Sequence, residues 1–446
     1  MYYYIIIFMY IFAFKIFSIL DSAILVGIIL TGLLIKDKEY RRKFLNDINN
    51  SKDVRNTFLC AAFIITWGLL VAALNKVLDV TYLKTFVHLL ISIFIGYEII
   101  EYLKYKNKTD QILNYVIGAF IIQSVLQWIF FLLPDVSKLF NIFRTEGMIQ
   151  NNIKYNGYRG IAIASSGFFS LSSAYGLVAI LYFSKYNTLF NNKILKYLMF
   201  ILLYSGTFFA GRTGFVALIF IIPITVIKII KNWDKIKKKQ NKKNILYVII
   251  ITLAIIGLIV ITMRIPKFSN MYKYAFELVK NIVTGKGIKT TSTDKLIKMY
   301  DIDFSGKTFF IGDGKYTVYE NEKTSYYMHT DVGYYRKILY FGVVGLILST
   351  IFQLSLFGKR FKSFECIGIM IFFAILELKG EIIGINIMIN SMIILYSAIC
   401  LKGEKENAKS NSANDYIQWR KKHNKASNWI NYKSNFSRLG NVNNYW

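Results

Sequence analysis

Runs of about 17 to 25 mostly apolar residues recur along this 446-residue chain, each long enough to cross a bilayer core of about 30 Å. That repetition leaves few architectures open. The chain is 54% hydrophobic and 17% aromatic, has three prolines and has a mean hydropathy of +0.40, so a soluble multidomain protein is excluded. The expected fold class is all-α, a polytopic membrane helix bundle of about twelve transmembrane helices. The spans are expected near 2–14, 17–35, 57–74, 85–103, 111–133, 160–183, 196–210, 213–230, 244–263, 337–357, 364–378 and 382–400. The first run lacks a basic lead-in and a small-residue cleavage site, and is read as a retained helix, not a cleaved signal.

Lys and Arg number 55 against 26 Asp and Glu, but many collect in short loops between apolar runs, a pattern that orients helices and does not point to nucleic acid. Lys36, Lys38, Arg41, Arg42 and Lys43 fall on one face. Lys104, Lys106 and Lys108, then Lys185, Lys193 and Lys196, the run Lys231 to Lys243, and Lys359, Arg360 and Lys362 fall on the same one. By the positive-inside rule this face is cytoplasmic, with both termini inside. Four regions follow: helices one to nine over 1–263, a large extracytoplasmic loop over 264–336, helices ten to twelve over 337–400, and a basic, largely disordered cytoplasmic tail over 401–446 that can touch anionic lipid. Cys60, Cys366 and Cys400 fall in or at the end of spans and indicate no disulfide framework or metal cluster.

The outer face receives the loop Pro134 to Tyr158, the turn Gly211-Arg212-Thr213-Gly214 and the long loop 264–336. Arg212 has two readings: a guanidinium that snorkels to headgroups and marks a helix end, or a fixed cation that grips phosphate oxygens bidentately. Gly306-Lys307-Thr308 lacks the earlier glycine of a nucleotide-binding loop, and Asp301-Ile302-Asp303 reads as solvated surface acid, since nucleotide sugars are cytoplasmic. Three histidines occur. His88 sits inside the fourth span and His423 in the tail, while His329 lies outside, just before the tenth span, where it can take a proton from a sugar hydroxyl. A surface histidine packed on its tyrosine neighbours is the bland alternative. Arg159, Arg212, Arg264 and Arg336 all lie at outer span ends, a placement that suits a substrate carrying pyrophosphate.

At Ser205-Gly206 through Gly211-Arg212-Thr213-Gly214-Phe215, and at Gly312-Asp313-Gly314 followed by His329-Thr330-Asp331-Val332-Gly333-Tyr334 through Phe341-Gly342, the chain resembles the O-antigen polymerase and ligase superfamily of bacterial polysaccharide-assembly membrane proteins. The plan of a large outer loop late in the bundle is similar too. Some polymerases place a glycine eleven positions after an arginine in two outer loops, and neither Arg159 nor Arg264 has that partner. The resemblance implies a bacterial cytoplasmic-membrane glycosyltransferase that needs no metal, nucleotide or other cofactor. Its partners would be undecaprenyl-pyrophosphate-linked glycan, membrane lipid and other polysaccharide-assembly proteins. It implies His329 and Arg212 as the catalytic residues, with Arg159, Arg264, Arg336, Asp331 and Tyr334 binding substrate. The expected activity is polymerisation of lipid-linked repeat units of a capsule or O-antigen. A ligase that moves finished glycan to another acceptor is the enzyme alternative. A flippase would carry charges deep in its spans, where Asp21, Glu98 and Glu377 are the main candidates.

Overall fold

A computed structural model describes residues 1–16, 20–155, 159–184, 186–223, 261–285, 287, 290–320, 323–358 and 363–399. The end of the eighth expected span, the basic run 231–243, most of the ninth span, Lys185, Lys359, Arg360, Lys362, Cys400 and the tail 401–446 lie outside the described residues. One compact unit covers Met1–Ser397, and of the second, Ala398–Trp446, only the helix end at 398–399 is described.

The described fold is mostly helical. In chain order it runs α1 Tyr2–Phe12, α2 Ser22–Lys36, α3 Lys38–Asn50, α4 Lys52–Asn75, α5 Thr81–Tyr105, α6 Ile112–Leu132, α7 Pro134–Leu139, α8 Glu146–Lys154, α9 Phe168–Tyr182, α10 Lys193–Ala210 and α11 Arg212–Pro223. After the gap come α12 Pro266–Ala275, α13 Glu277–Val283, α14 Thr291–Lys298, α15 Gly306–Phe310, the strands β1 Thr317–Glu320 and β2 Lys323–Tyr326, then α16 Gly333–Ser355, α17 Phe364–Glu377 and α18 Ile387–Ile399. Among the described residues five helices are long and apolar enough to cross a membrane: α4, α5, α6 with the turn before it, α10 and α16. A 24-residue helix such as α4 is about 36 Å long.

Three departures from the sequence reading have physical causes. The residues after the second span form a helix, α3, because the Asp37 carboxylate accepts from Glu39 N and Tyr40 N at 3.0 Å, and Tyr40 and Phe44, four apart, bury one face. The all-α expectation misses a hairpin that pairs Thr317 with Tyr326 and Glu320 with Lys323, built from β-branched and aromatic residues. The third departure concerns spans six and twelve, whose first residues are not helical.

Residues 159–167 and 378–386 are irregular backbone beside long apolar helices, which is tolerable only where protein groups satisfy the chain. Side chains do so. Gln127 Nε2 donates to Gly160 O at 2.9 Å, Gln123 Nε2 to Ile161 O at 2.7 Å and Arg144 Nε to Ala162 O at 2.6 Å. In the second segment Glu377 Oε2 accepts from Ile382 N and Ile383 N at 2.7 and 2.8 Å, and Gln353 Oε1 accepts from Gly384 N at 2.9 Å. Glu377 also forms an ion pair with Lys337, both side chains being fully buried. That pair ties the start of α16 to the segment 378–386.

Within the second stretch that carried the resemblance, Gly312-Asp313-Gly314 meets the chain just before Phe341-Gly342 as backbone. Asp313 N donates to Leu339 O at 2.7 Å, and Gly314 N to Tyr340 O at 3.2 Å. Gly312 (φ +87) and Gly342 (φ +69) sit at this crossing, where a Cβ on Gly342 would collide with the Phe310 carbonyl. These glycines dock the segment before β1 on a break in α16.

Candidate functional site

A cavity of about 650 Å³ opens where Ala13 and Asp21, the connections 159–167 and 378–386, and Tyr316, Tyr326 and Asp331 come together with the half of α5 from Thr85 to Ile95 and the first turn of α16. Two more junctions join it. Asp79, between α4 and α5, accepts from Tyr316 N at 2.7 Å and Thr317 N at 2.8 Å, and Lys379 Nζ donates to Thr213 Oγ1 at 3.2 Å. Parts of the long loop 264–336 and the turn at Arg212, which the alternation of basic loops puts on one face, therefore come close to this cavity. The basic residues Lys36, Arg41 and Lys104 lie at the other ends of α2 and α5.

Of the residues expected to bind substrate, Arg159, Arg336 and Asp331 line the cavity. Arg336 is the most constrained: its Nη1 lies 2.8 Å from Glu381 Oε2, and its guanidinium is held over the rings of Tyr326 and Tyr316. Its Nε and Nη2, and Glu381 Oε1, are buried with no hydrogen-bond partner. A buried donor left unpaired costs about 1–3 kcal/mol, so this group is short of an acceptor. Arg159 lies over the rings of Phe168 and Tyr155 at 4.1 and 4.9 Å.

Arg212 is not on the wall. Gly211 (φ +152) ends α10, and Arg212 starts α11 with its side chain only 15% exposed, its Nη1 2.5 Å from Glu277 Oε2 and its Nη2 donating to Ser292 Oγ at 3.2 Å. This is a guanidinium packed against Glu277 and Ser292, unlike a freely snorkelling helix end. Lys379 stands between it and the cavity. Burial, then the guanidiniums of Arg212 and Arg159, pull the Lys379 ammonium below its ordinary value, with Asp331 acting the other way. Desolvation raises the Asp331 carboxyl, with Arg336 pulling it down and Glu381 pushing it up.

His329 lies in an adjoining hollow of about 430 Å³ that shares Tyr326 and Asp331 with the cavity. Met328 (φ 54) and His329 (φ 51) are both left-handed, which turns the chain sharply after β2. His329 Nε2 is 3.3 Å from Glu320 Oε2, its Nδ1 is 3.4 Å from Ser325 Oγ, and its side chain is 65% exposed. Arg264 is exposed in the turn before α12, outside both hollows, and Tyr334 donates its hydroxyl to Ala374 O at 3.0 Å. Neither is brought to the cavity.

Sequence reasoning passed over Lys379, Glu381 and a second dyad. His88 Nε2 lies 3.3 Å from Asp21 Oδ2, and both line the cavity. Leu378-Lys379-Gly380-Glu381 is a charged pair around a glycine between two apolar runs, the same kind of signal that singled out Arg212. A scan against protein families, a search of curated proteins and a search of solved structures each found no match. Chemically, the wall offers the cations Arg159, Arg336 and Lys379, hydroxyl and amide groups from Ser166, Ser170 and Asn386, and apolar side chains such as Ile24, Ile91 and Met388. That mixture suits a phosphorylated, sugar-bearing amphiphile.

Proposed function

We propose that this protein is a polymerase of the O-antigen polymerase and ligase type, joining undecaprenyl-pyrophosphate-linked repeat units at the outer face of a bacterial cytoplasmic membrane. The reading takes the chain as about twelve spans with both termini inside and the cavity outside. What carries it is the pairing of two arginines, Arg336 held by Glu381 and Arg159 beside it, on the wall of one cavity among connections assigned to the outer face.

In this reading the donor's pyrophosphate meets Arg159 and Arg336. The acceptor sugar hydroxyl attacks the donor's anomeric carbon, and the bond from that carbon to the phosphate oxygen breaks, leaving its electron pair on the lipid pyrophosphate. The hydroxyl proton passes to His329, whose new charge Glu320 offsets at 3.3 Å. Arginines that hold the pyrophosphate more tightly as its charge develops lower the barrier. Deleting the chain from its host tests the reading. Single repeat units on their lipid carrier are expected to accumulate while long polymer disappears, and unchanged polymer would rule it out.

A further inference from the structure

Lys379 reaches the cavity from the irregular segment 378–386, and the carboxylates two residues to either side of it are each paired with another cation. Glu377, two residues before, is taken by Lys337 and two backbone amides. Glu381, two residues after, is taken by Arg336 and by the Tyr316 hydroxyl, which donates to it at 2.5 Å. The bond to Thr213 Oγ1 goes to a neutral acceptor and uses one of three ammonium donors. Arg159 and Arg212 add positive charge near it, and Asp331 is the acid it feels. A half-buried lysine so placed needs anionic oxygen, and its rotatable ammonium can follow a phosphate that shifts position.

We propose that Lys379 is a phosphate ligand of the cavity, and that Arg212 is a positioning residue that acts through Thr213 and Lys379. The proposal rests on the reading of the cavity as a site for a phosphorylated lipid. The α10–α11 junction then contributes to the site through the residue it holds, and Arg212 fixes that junction against Glu277 and Ser292.

The test uses the full chain in phosphatidylcholine nanodiscs with three probes: inorganic pyrophosphate, undecaprenyl pyrophosphate and phosphatidylglycerol. Lys379→Gln should weaken both pyrophosphate probes about tenfold to a hundredfold, with the thermal midpoint showing the protein folded, while Lys379→Arg keeps most of the affinity. Arg212→Lys should weaken binding alone and add little in the Lys379→Gln background, a coupling that a merely structural arginine would not give. Wild-type affinity in Lys379→Gln overturns the proposal and leaves the cavity reading intact. No binding of either pyrophosphate by the wild type overturns both. Binding of phosphatidylglycerol with neither pyrophosphate assigns Lys379 to bilayer headgroups and overturns its place in this site.

Discussion

Arg336 and Glu381 meet at 2.8 Å with side chains only 7% and 6% exposed, and the guanidinium lies against Tyr326 and Tyr316 at 3.4 and 4.2 Å from their ring centres. Breaking a buried pair from one side costs about 3–5 kcal/mol, because the other charge is left behind. Arg336→Met or Glu381→Met alone should therefore lower the thermal midpoint clearly, while the double variant regains much of the loss and still makes no polymer. Double-variant stability no better than the singles would contradict a pairwise contact.

Arg212→Lys should reduce polymer formation strongly at normal protein levels. Lysine keeps one charge opposite Glu277 but cannot span Glu277 and Ser292 as the planar fork does. Polymer length on a gel, against membrane protein amount, checks this. Normal polymer would make Arg212 an anchor.

His329→Ala should lower the rate about a hundredfold to ten-thousandfold, as loss of a general base does, and single lipid-linked units should build up. Glu320→Gln, which removes the charge 3.3 Å from the ring, should cost less than His329→Ala. Polymer of normal amount and length from His329→Ala would return it to a surface histidine on an exposed turn.

Pyrophosphate binding should fall as pH rises through a value below the ordinary 10.5 of lysine, because the charged Lys379 is the binding form and burial with Arg212 and Arg159 depresses it. The charged groups that act on the Lys379 ammonium are Arg212, Arg159 and Asp331. For folding alone the sign reverses. The unfolded chain holds this proton up to about 10.5 and the folded one releases it earlier, so between those values Lys379 makes stability rise with pH. Affinity measured against pH in the wild type and in Lys379→Arg separates the two, since the arginine variant should lose the fall.

The long helices were legible because apolar runs are a local property: α4, α5 and α16 fall where hydropathy puts them. Of the four arginines expected together at span ends, Arg159 and Arg336 line one cavity and Arg212 and Arg264 do not. What sequence could not give was which arginine faces inward, since that depends on partners far along the chain. Arg212 is turned away by Glu277, 65 positions later, and Lys379 is brought in by Thr213, 166 positions earlier. The non-helical stretches at 159–167 and 378–386 read as span because the side chains that satisfy their backbone, such as Gln127 and Glu377, lie in other helices or beyond the stretch itself. His88 looked buried in a span, yet the same rearrangement opened a cavity beside it.

The most direct test of the central claim is reconstitution of the full chain in vesicles with the lipid-linked single units extracted from cells lacking it. The account predicts a ladder of glycans lengthening by one repeat unit, with undecaprenyl pyrophosphate released in step, and no ladder from Arg336→Met. Units that stay single with the folded wild-type chain present, or that only change sides of the vesicle bilayer, would contradict it.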